Sequence, residues 1–422
     1  MDRRINDLVA TTKEKFGLDS YYLKRYRLNR HVNIFQKTIY TLSMEWFPYD
    51  VEEPKDDLNP VGAAVIEMDI HSCQYVSVIF VQDTTYAKEG INFANRDINY
   101  IINWIKQETG LNFEKQFQLQ KEEAGRLLFN EVFEGVKVSS YGSIEIKYNH
   151  EGDLTLFSVN GHFPTDDMVQ KETYTLKLDK LENLPKDLLQ LINFPSYEEE
   201  KLVPIYGVEE VYITNDQMRK IPFEFFFDVN AYTPINEKIS YDQEVKGLFE
   251  QEDINPIEEI TVEQAFSCEK SPESYPITKE EQEACLLSVK ELLSQKYPND
   301  LGRWILKTLH REKNYIHAVL RLDNQDHFVF HRKITIILDA TNYRPINYID
   351  NKMMLDMFEK FQKPTEINIS KEEAYEKLKN YYELQPYYVY DFEQKQYILC
   401  GKIDCHYGVN AVTGELVSFD DF

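Results

Sequence analysis

The sequence predicts an α+β protein in which short helices pack on curved antiparallel sheets, and three observations carry that expectation. Stretches of two-residue alternation recur in pairs around turn residues, as in 144–159 (IEIKYNHEGDLTLFSV) and 334–349 (ITIILDATNYRPINYI). That is the pattern of hairpins whose strands bury one face. Helical-period stretches open on capping boxes, Thr278-x-x-Glu281 and Ser370-x-x-Glu373, where a hydroxyl and a carboxylate satisfy each other's orphan amides. The order of these pieces also recurs. The stretch 367–388 (INISKEEAYEKLKNYYELQPYY) answers 176–197 at an offset of 367 − 176 = 191, and the two hairpins above answer each other at 334 − 144 = 190. A fixed internal period is the sequence sign of a duplicated unit.

Taken in order, residues 1–88 read as one helix on an antiparallel meander. Ile5, Leu8, Val9, Thr12 and Phe16 form an apolar stripe that Gly17 ends, and Tyr40, Leu42, Met44 and Trp46 alternate with polar residues, as do Ala64, Ile66, Met68 and Ile70. Residues 89–227 read as the first repeat. Its helix buries Ile98, Ile101, Ile102 and Ile105 and stops at Gly110. Within 176–197 Asp179-x-x-Glu182 stands for Ser370-x-x-Glu373, with Pro195 for Pro386 and Tyr197 for Tyr388. Pro185 places that helix start at Asn183, so that the ring falls in the first turn, where no amide is needed. A hairpin (VEEVYITNDQMRKIPF) turning at Asn215-Asp216 follows. Residues 228–276 are acidic and punctuated by Pro234, Pro256, Pro272 and Pro276, which predicts an irregular linker with a helical turn at Thr261-x-x-Gln264. Residues 277–422 read as the second repeat: a helix burying Cys285, Val289, Leu292 and Leu293, strands, a capped helix with Ala374, Leu378, Tyr381 and Tyr382 on one face and Pro386 as its stop, and a last hairpin, GVNAVTGELVSF.

Bulk composition narrows the function. A formal charge of −25 repels a nucleic-acid backbone over most of the surface. The basic cluster Lys24, Arg25, Arg27, Arg30 and His31 reads as the outward edge of a strand balanced by the acidic loop 50–57. The 29 Tyr and 25 Phe against 15 Gly suit aromatic packing on pleated sheets rather than glycine-loop nucleotide binding. No apolar run approaches the length of a membrane span. Five scattered cysteines (Cys73, Cys268, Cys285, Cys400, Cys405), with no signal-type leader at residues 1–17, point to a cytoplasmic chain with reduced thiols.

Catalytic and metal signatures are missing from the sequence. There is no G-x-S-x-G elbow, P-loop, G-x-G-x-x-G or H-E-x-x-H. Cys400-x4-Cys405-His406 puts its thiols on opposite faces of a continuous strand. His310, His317, His327 and His331 fall within 22 residues, and His327 and His331 share a strand face, yet without a characteristic ligand spacing. Glu198–Glu200 reads as solvated loop. The tract Tyr381, Tyr382, Tyr387, Tyr388 and Tyr390 follows helix and strand periods, which favours packing over a peptide groove. No residue is assigned a catalytic, cofactor-binding or metal-ligating role on this reading, and no cofactor is expected.

The segments INISKEEAYEKL and VNAVTGELVSF, an extended lead, a capped helix with an alanine, and a closing hairpin, resemble the PepSY superfamily. Their double arrangement is similar to the bacillar YcdB/YcdC repeated-domain proteins, over about Asn92–Phe227 and Ile277–Phe422. The resemblance implies helices lying across curved antiparallel sheets. Some members of that superfamily are propeptides that inhibit the peptidase they precede. Asn410 departs from the Asp frequent in that hairpin. The expectation is a non-enzymatic binding module, monomeric, with a peptide or protein partner and neither nucleic acid nor membrane. The alternative is an enzyme of unrecognised type using carboxylates or histidines in a cleft between the repeats.

Overall fold

The computed structural model describes the chain except for residues 53–57, 140–141, 182–183, 223–232, 242–248, 256–257, 324–329, 365 and 422. In chain order the elements begin with α1 (Arg3–Lys15), β1 (Tyr21–Val32), β2 (Thr38–Pro48), β3 (Ala64–Asp69) and β4 (Tyr75–Phe80). Next come α2 (Ile98–Thr109), β5 (Phe117–Glu123), β6 (Arg126–Phe133), β7 (Val136–Val138), β8 (Ser143–Tyr148) and β9 (Leu154–Asn160). They are followed by α3 (Leu184–Leu188), β10 (Leu189–Ser196), β11 (Lys201–Val208), β12 (Val211–Thr214), β13 (Lys220–Pro222), β14 (Thr233–Lys238) and α4 (Val262–Phe266). The third stretch holds α5 (Lys279–Lys296), β15 (Trp304–Glu312), β16 (Tyr315–Leu322), β17 (Lys333–Asp339) and β18 (Pro345–Asp350). The chain closes with α6 (Lys352–Asp356), α7 (Lys371–Leu378), β19 (Glu383–Asp391), β20 (Gln396–Asp404), β21 (Tyr407–Asn410) and β22 (Leu416–Ser418). The fold is α+β, mostly sheet with few helices. No helix among the described residues is long and apolar enough to cross a membrane.

The chain divides into two compact units. The first comprises Met1–Thr173, Glu258–Ser271 and Pro386–Leu399. Here α1 is capped by Asp2, whose carboxylate accepts from the Arg4 amide, and Gly17 follows it at φ 63°. A side chain at Gly17 would put its Cβ 2.1 Å from the Lys88 carbonyl, so glycine is required twice over. Strands β1 to β4 form the expected antiparallel meander, and β5, β6, β8 and β9 form another. The two join through β4 and β9, with Val78 opposite Phe157, so the strands before and after residue 88 belong to one continuous sheet. Ile5, Phe16, Ile101, Ile105, Met44 and Phe157 share its core. The sequence expects the loop 50–57 to balance the basic cluster on β1, in which Arg25 pairs with Glu45 and Arg30 with Glu258. Residues 53–57 of that loop lie outside the described residues.

The second unit comprises Tyr174–Ile257, Pro272–Gln385 and Cys400–Phe422. Helix α5 opens on the Thr278–Glu281 capping box and packs on the sheet β14-β15-β16-β17-β18, burying Cys285, Val289 and Leu293 against Trp304, Leu306 and Leu309. Strand β14 falls where the sequence reads as an irregular linker, while the helical turn expected at Thr261-x-x-Gln264 is α4 with both bonds of its capping box. α5 followed by the antiparallel strands β15 to β18 thus repeats the succession of α1 followed by β1 to β4.

The prolines behave differently from expectation. Helix α3 spans only Leu184–Leu188, with Pro185 in it, and Glu182 and Asn183 lie outside the described residues. Pro195 lies in β10 and Pro386 in β19, so neither ends a helix. β10 is an edge strand, where a residue without an amide proton is tolerated. Helix α7 stops at Leu378, leaving Tyr381 and Tyr382 beyond it. The β-prone run Tyr387–Tyr390 wins that segment for the sheet.

The pairing of these strands is reciprocal. In the sheet β10-β11-β21-β22, Ile205 stands opposite Asn410 and Tyr206 opposite Val409. In the other, β12 lies beside β20, with Thr214 opposite Cys400 and Ile213 opposite Gly401. Residues 205 and 400 differ by 195, as do 206 and 401, while 214 and 410 differ by 196, as do 213 and 409. β12, which follows β11, thus pairs with β20, and β21, which follows β20, pairs with β11, in matched register. Ala374 and Leu378 of α7 pack over this arrangement against Leu176, Ile403 and Val409.

Candidate binding groove

Two adjoining cavities of about 690 and 350 Å³ lie in the second unit and share Phe330, Leu355 and Phe358 as lining. The floor of the larger is set by chain entry into β15. Tyr297, the residue after α5, meets the Trp304 ring at 5.7 Å between centroids. The Arg332 guanidinium lies 5.5 Å from the Trp304 ring centre and is paired with Asp350. Burial pushes the Tyr297 phenol up to about 12, so it stays protonated and donates to Asp350 Oδ2 at 2.5 Å. One wall is Pro195 and Leu202, from the β10–β11 hairpin; the other is α6 and the turn after it.

The rim is apolar and adaptable. Phe330 and Phe358 stack at 5.5 Å and 11°, and Tyr197 packs on Phe358 and Phe361. Met353, Met354 and Met357 are exposed beside them. Three of the eight methionines therefore fall within five residues at the surface, and methionine's flexible thioether reshapes to fit varied partners.

Charge distinguishes the groove from the rest of the chain. Among the described residues, Arg303, Arg321, Arg332, Lys333, Lys352 and Lys363 line the cavities, against the carboxylates of Asp300 and Asp356. The whole sequence has the opposite balance, 72 acidic to 47 basic side chains. The buried Trp304 indole N–H has no hydrogen-bond partner among the described residues. An unsatisfied buried donor is costly, and this one belongs to a cavity-lining side chain. The lining thus combines positive charge with aromatic and aliphatic surface.

The residues singled out from sequence scatter. Cys400 and Cys405 are buried free thiols, the second donating to the Tyr407 carbonyl at 3.3 Å, and His406 is exposed. Glu198–Glu200 occupies the exposed β10–β11 turn. Of the aromatic tract, Tyr382, Tyr387, Tyr388 and Tyr390 are buried, and Tyr382 donates to the Pro185 carbonyl. His331 lines the smaller cavity and His327 lies outside the described residues. His310 and His317 stand opposite each other on β15 and β16. The groove itself escaped the sequence reading, although the run KMMLDMF at 352–358 placed methionine and phenylalanine at surface-helix positions.

A buried carboxylate in the first unit was also unforeseen. Glu131 accepts from the amides of Gly142 at 3.1 Å, His162 at 3.3 Å and Phe163 at 2.5 Å. Those bonds fasten the chain after β9 and account for it structurally. At the surface of the same unit, Cys268 Sγ lies 3.4 Å from His71 Nε2, which is also 3.0 Å from the Ala265 carbonyl. An imidazole N–H given to that carbonyl leaves this nitrogen unable to act as base for the thiol.

No family model and no curated protein match the chain. Among solved structures it is similar to the Bacillus megaterium YpeB C-terminal domain, at 9% identity and a TM-score of 0.23, over 83% of this chain and 97% of that one. A likeness at that level supports no conclusion about the fold or activity of this protein.

Proposed function

We propose that this protein is a non-enzymatic binding module whose groove takes an acidic peptide segment bearing aromatic or aliphatic side chains, presented by a protein partner. The observation that carries the reading is the local reversal of charge around an aromatic and methionine-rich rim in a chain of net charge −25. Anchors in such a groove are apolar side chains in Phe- and Met-lined pockets, and the cations set orientation and on-rate. A peptide array varying acidic, neutral and basic residues around a Leu or Phe anchor, probed with the labelled full chain, tests it. Acidic members should bind, and Phe330→Ala, Met354→Ala and the double change Lys333→Glu/Lys363→Glu should each weaken them at least tenfold. Equal binding of basic and acidic members, or groove variants that bind like the parent, would refute the reading.

The finer architecture we propose is the two PepSY-like repeats, with residues 1–88 preceding them and 228–276 between them. It is supported by the offsets of 195 and 196 in the reciprocal strand pairs. Inhibition of a peptidase is one form such peptide binding would take, by analogy with that superfamily. Cytoplasmic residence is in keeping with the five free cysteines, and a monomer is the state we propose.

A further inference from the structure

Away from the groove, the closed end of the β15–β16 hairpin gathers two imidazoles and a carboxylate. His310 and His317 are cross-strand partners with ring centroids 5.0 Å apart. Glu312, two residues after His310, projects from the same face of β15. His317 Nδ1 lies 3.6 Å from Glu312 Oε2, and one ligand atom from each residue falls within 4.8 Å of the others. Arg311 points to the opposite face, where it is engaged by Glu281. Lys313, in the turn, is the cation adjoining the cluster.

We propose that His310, Glu312 and His317 form a site for a divalent first-row transition cation, zinc in the first instance, with a further coordination position open to solvent. Paired imidazoles select against calcium and magnesium, which take oxygen ligands, and two nitrogens with one carboxylate oxygen is an established zinc set. Zinc–ligand bonds of about 2.0–2.1 Å at tetrahedral angles put neighbouring ligand atoms about 3.3–3.4 Å apart. The His317–Glu312 separation of 3.6 Å is already near that value, and the others, all within 4.8 Å, close by at most roughly 1.4 Å. Glu312 supplies much of the closure because its side chain is 42% exposed and free to change rotamer, whereas the two histidines are held by the ladder.

The test uses the full chain stripped with a chelator and titrated with zinc chloride against a chromophoric competitor. One equivalent should bind, cobalt should give a d–d band of low-coordinate character, and Glu312→Gln and His317→Gln should each weaken zinc at least tenfold. His150→Gln, at an exposed turn far along the sequence, should leave binding unchanged. Glu312→Gln alters a partly exposed side chain and keeps its size, so it remains informative if His317→Gln fails to fold. Less than one equivalent in the parent, or undiminished binding in Glu312→Gln, would overturn the site.

Discussion

Replacing Glu281 by Gln tests how α5 is fixed to its sheet. Glu281 receives two bonds from one Arg311 nitrogen, at 2.6 and 2.7 Å, and one from the Thr278 amide at 2.8 Å. The Arg311 and Glu281 side chains are only 12% and 17% exposed. Glutamine can still close the cap, so the substitution chiefly strands the Arg311 charge. Breaking a fully buried pair costs about 3–5 kcal/mol, and the remaining exposure brings the expected loss to about 2–3 kcal/mol. With a urea slope of about 2–3 kcal/mol/M, the midpoint falls by roughly 1 M. Trp304 is buried in this unit while Trp46 and Trp104 belong to the other, so its fluorescence in a Trp46→Phe/Trp104→Phe background reads the second unit selectively. Adding Arg311→Met should recover part of the loss, because the stranded charge is gone.

The same pair gives a pH dependence of defined sign. Burial raises the Glu281 carboxyl, but the Arg311 bond and the Thr278 amide outweigh it and hold it below 4.5. A depressed folded value means that the native state binds fewer protons than the unfolded one. Its stabilisation is therefore present above pH 4.5 and is lost as pH falls through the folded value. Parent and Glu281→Gln midpoints should converge on acidification. An unchanged midpoint at pH 7 with an unchanged slope would show that the pair contributes nothing.

Two further outcomes follow from the geometry. Ser370 accepts from the Glu373 amide at 3.2 Å, so Ser370→Ala should destabilise the second unit by about 1 kcal/mol, read by the same Trp304 melt. Burial lowers His162 to about 4 from 6.5, so the first unit should lose stability as pH falls from 6.5 towards 4, by at most about 3 kcal/mol. His162→Phe should flatten that slope when Trp46 and Trp104 fluorescence is followed in a Trp304→Phe background.

Local chemistry was legible in the sequence because it is decided within a few residues. The capping boxes at Thr261, Thr278 and Ser370 all form, as do the hairpins closed at Gly152, Asn215-Asp216 and Gly414. The α+β class follows from those pieces. Pro195 and Pro386 misled because a proline suits an edge or an interrupted ladder as well as a helix end, and only strand pairing decides between them. The reciprocal exchange of β12 and β21 depends on partners about two hundred residues apart, which no local period records. The His310–His317 pair was hidden for a sharper reason. Simple alternation from Trp304 and Leu306 would place His310 on the face buried under α5, but a register shift between Leu306 and Thr308 reverses the parity of everything after it. That irregularity puts Leu309 and Arg311 beneath the helix and sends His310 and Glu312 to the other face, where His317 meets them. The groove likewise joins Leu202 of the β10–β11 wall to Lys352 of α6 across 352 − 202 = 150 residues of chain, so its charge reversal exists only after folding. Caps and turns were readable segment by segment because their partners lie within a few residues; tertiary register decided which side chains meet, because side-chain direction in a sheet turns on every inserted residue.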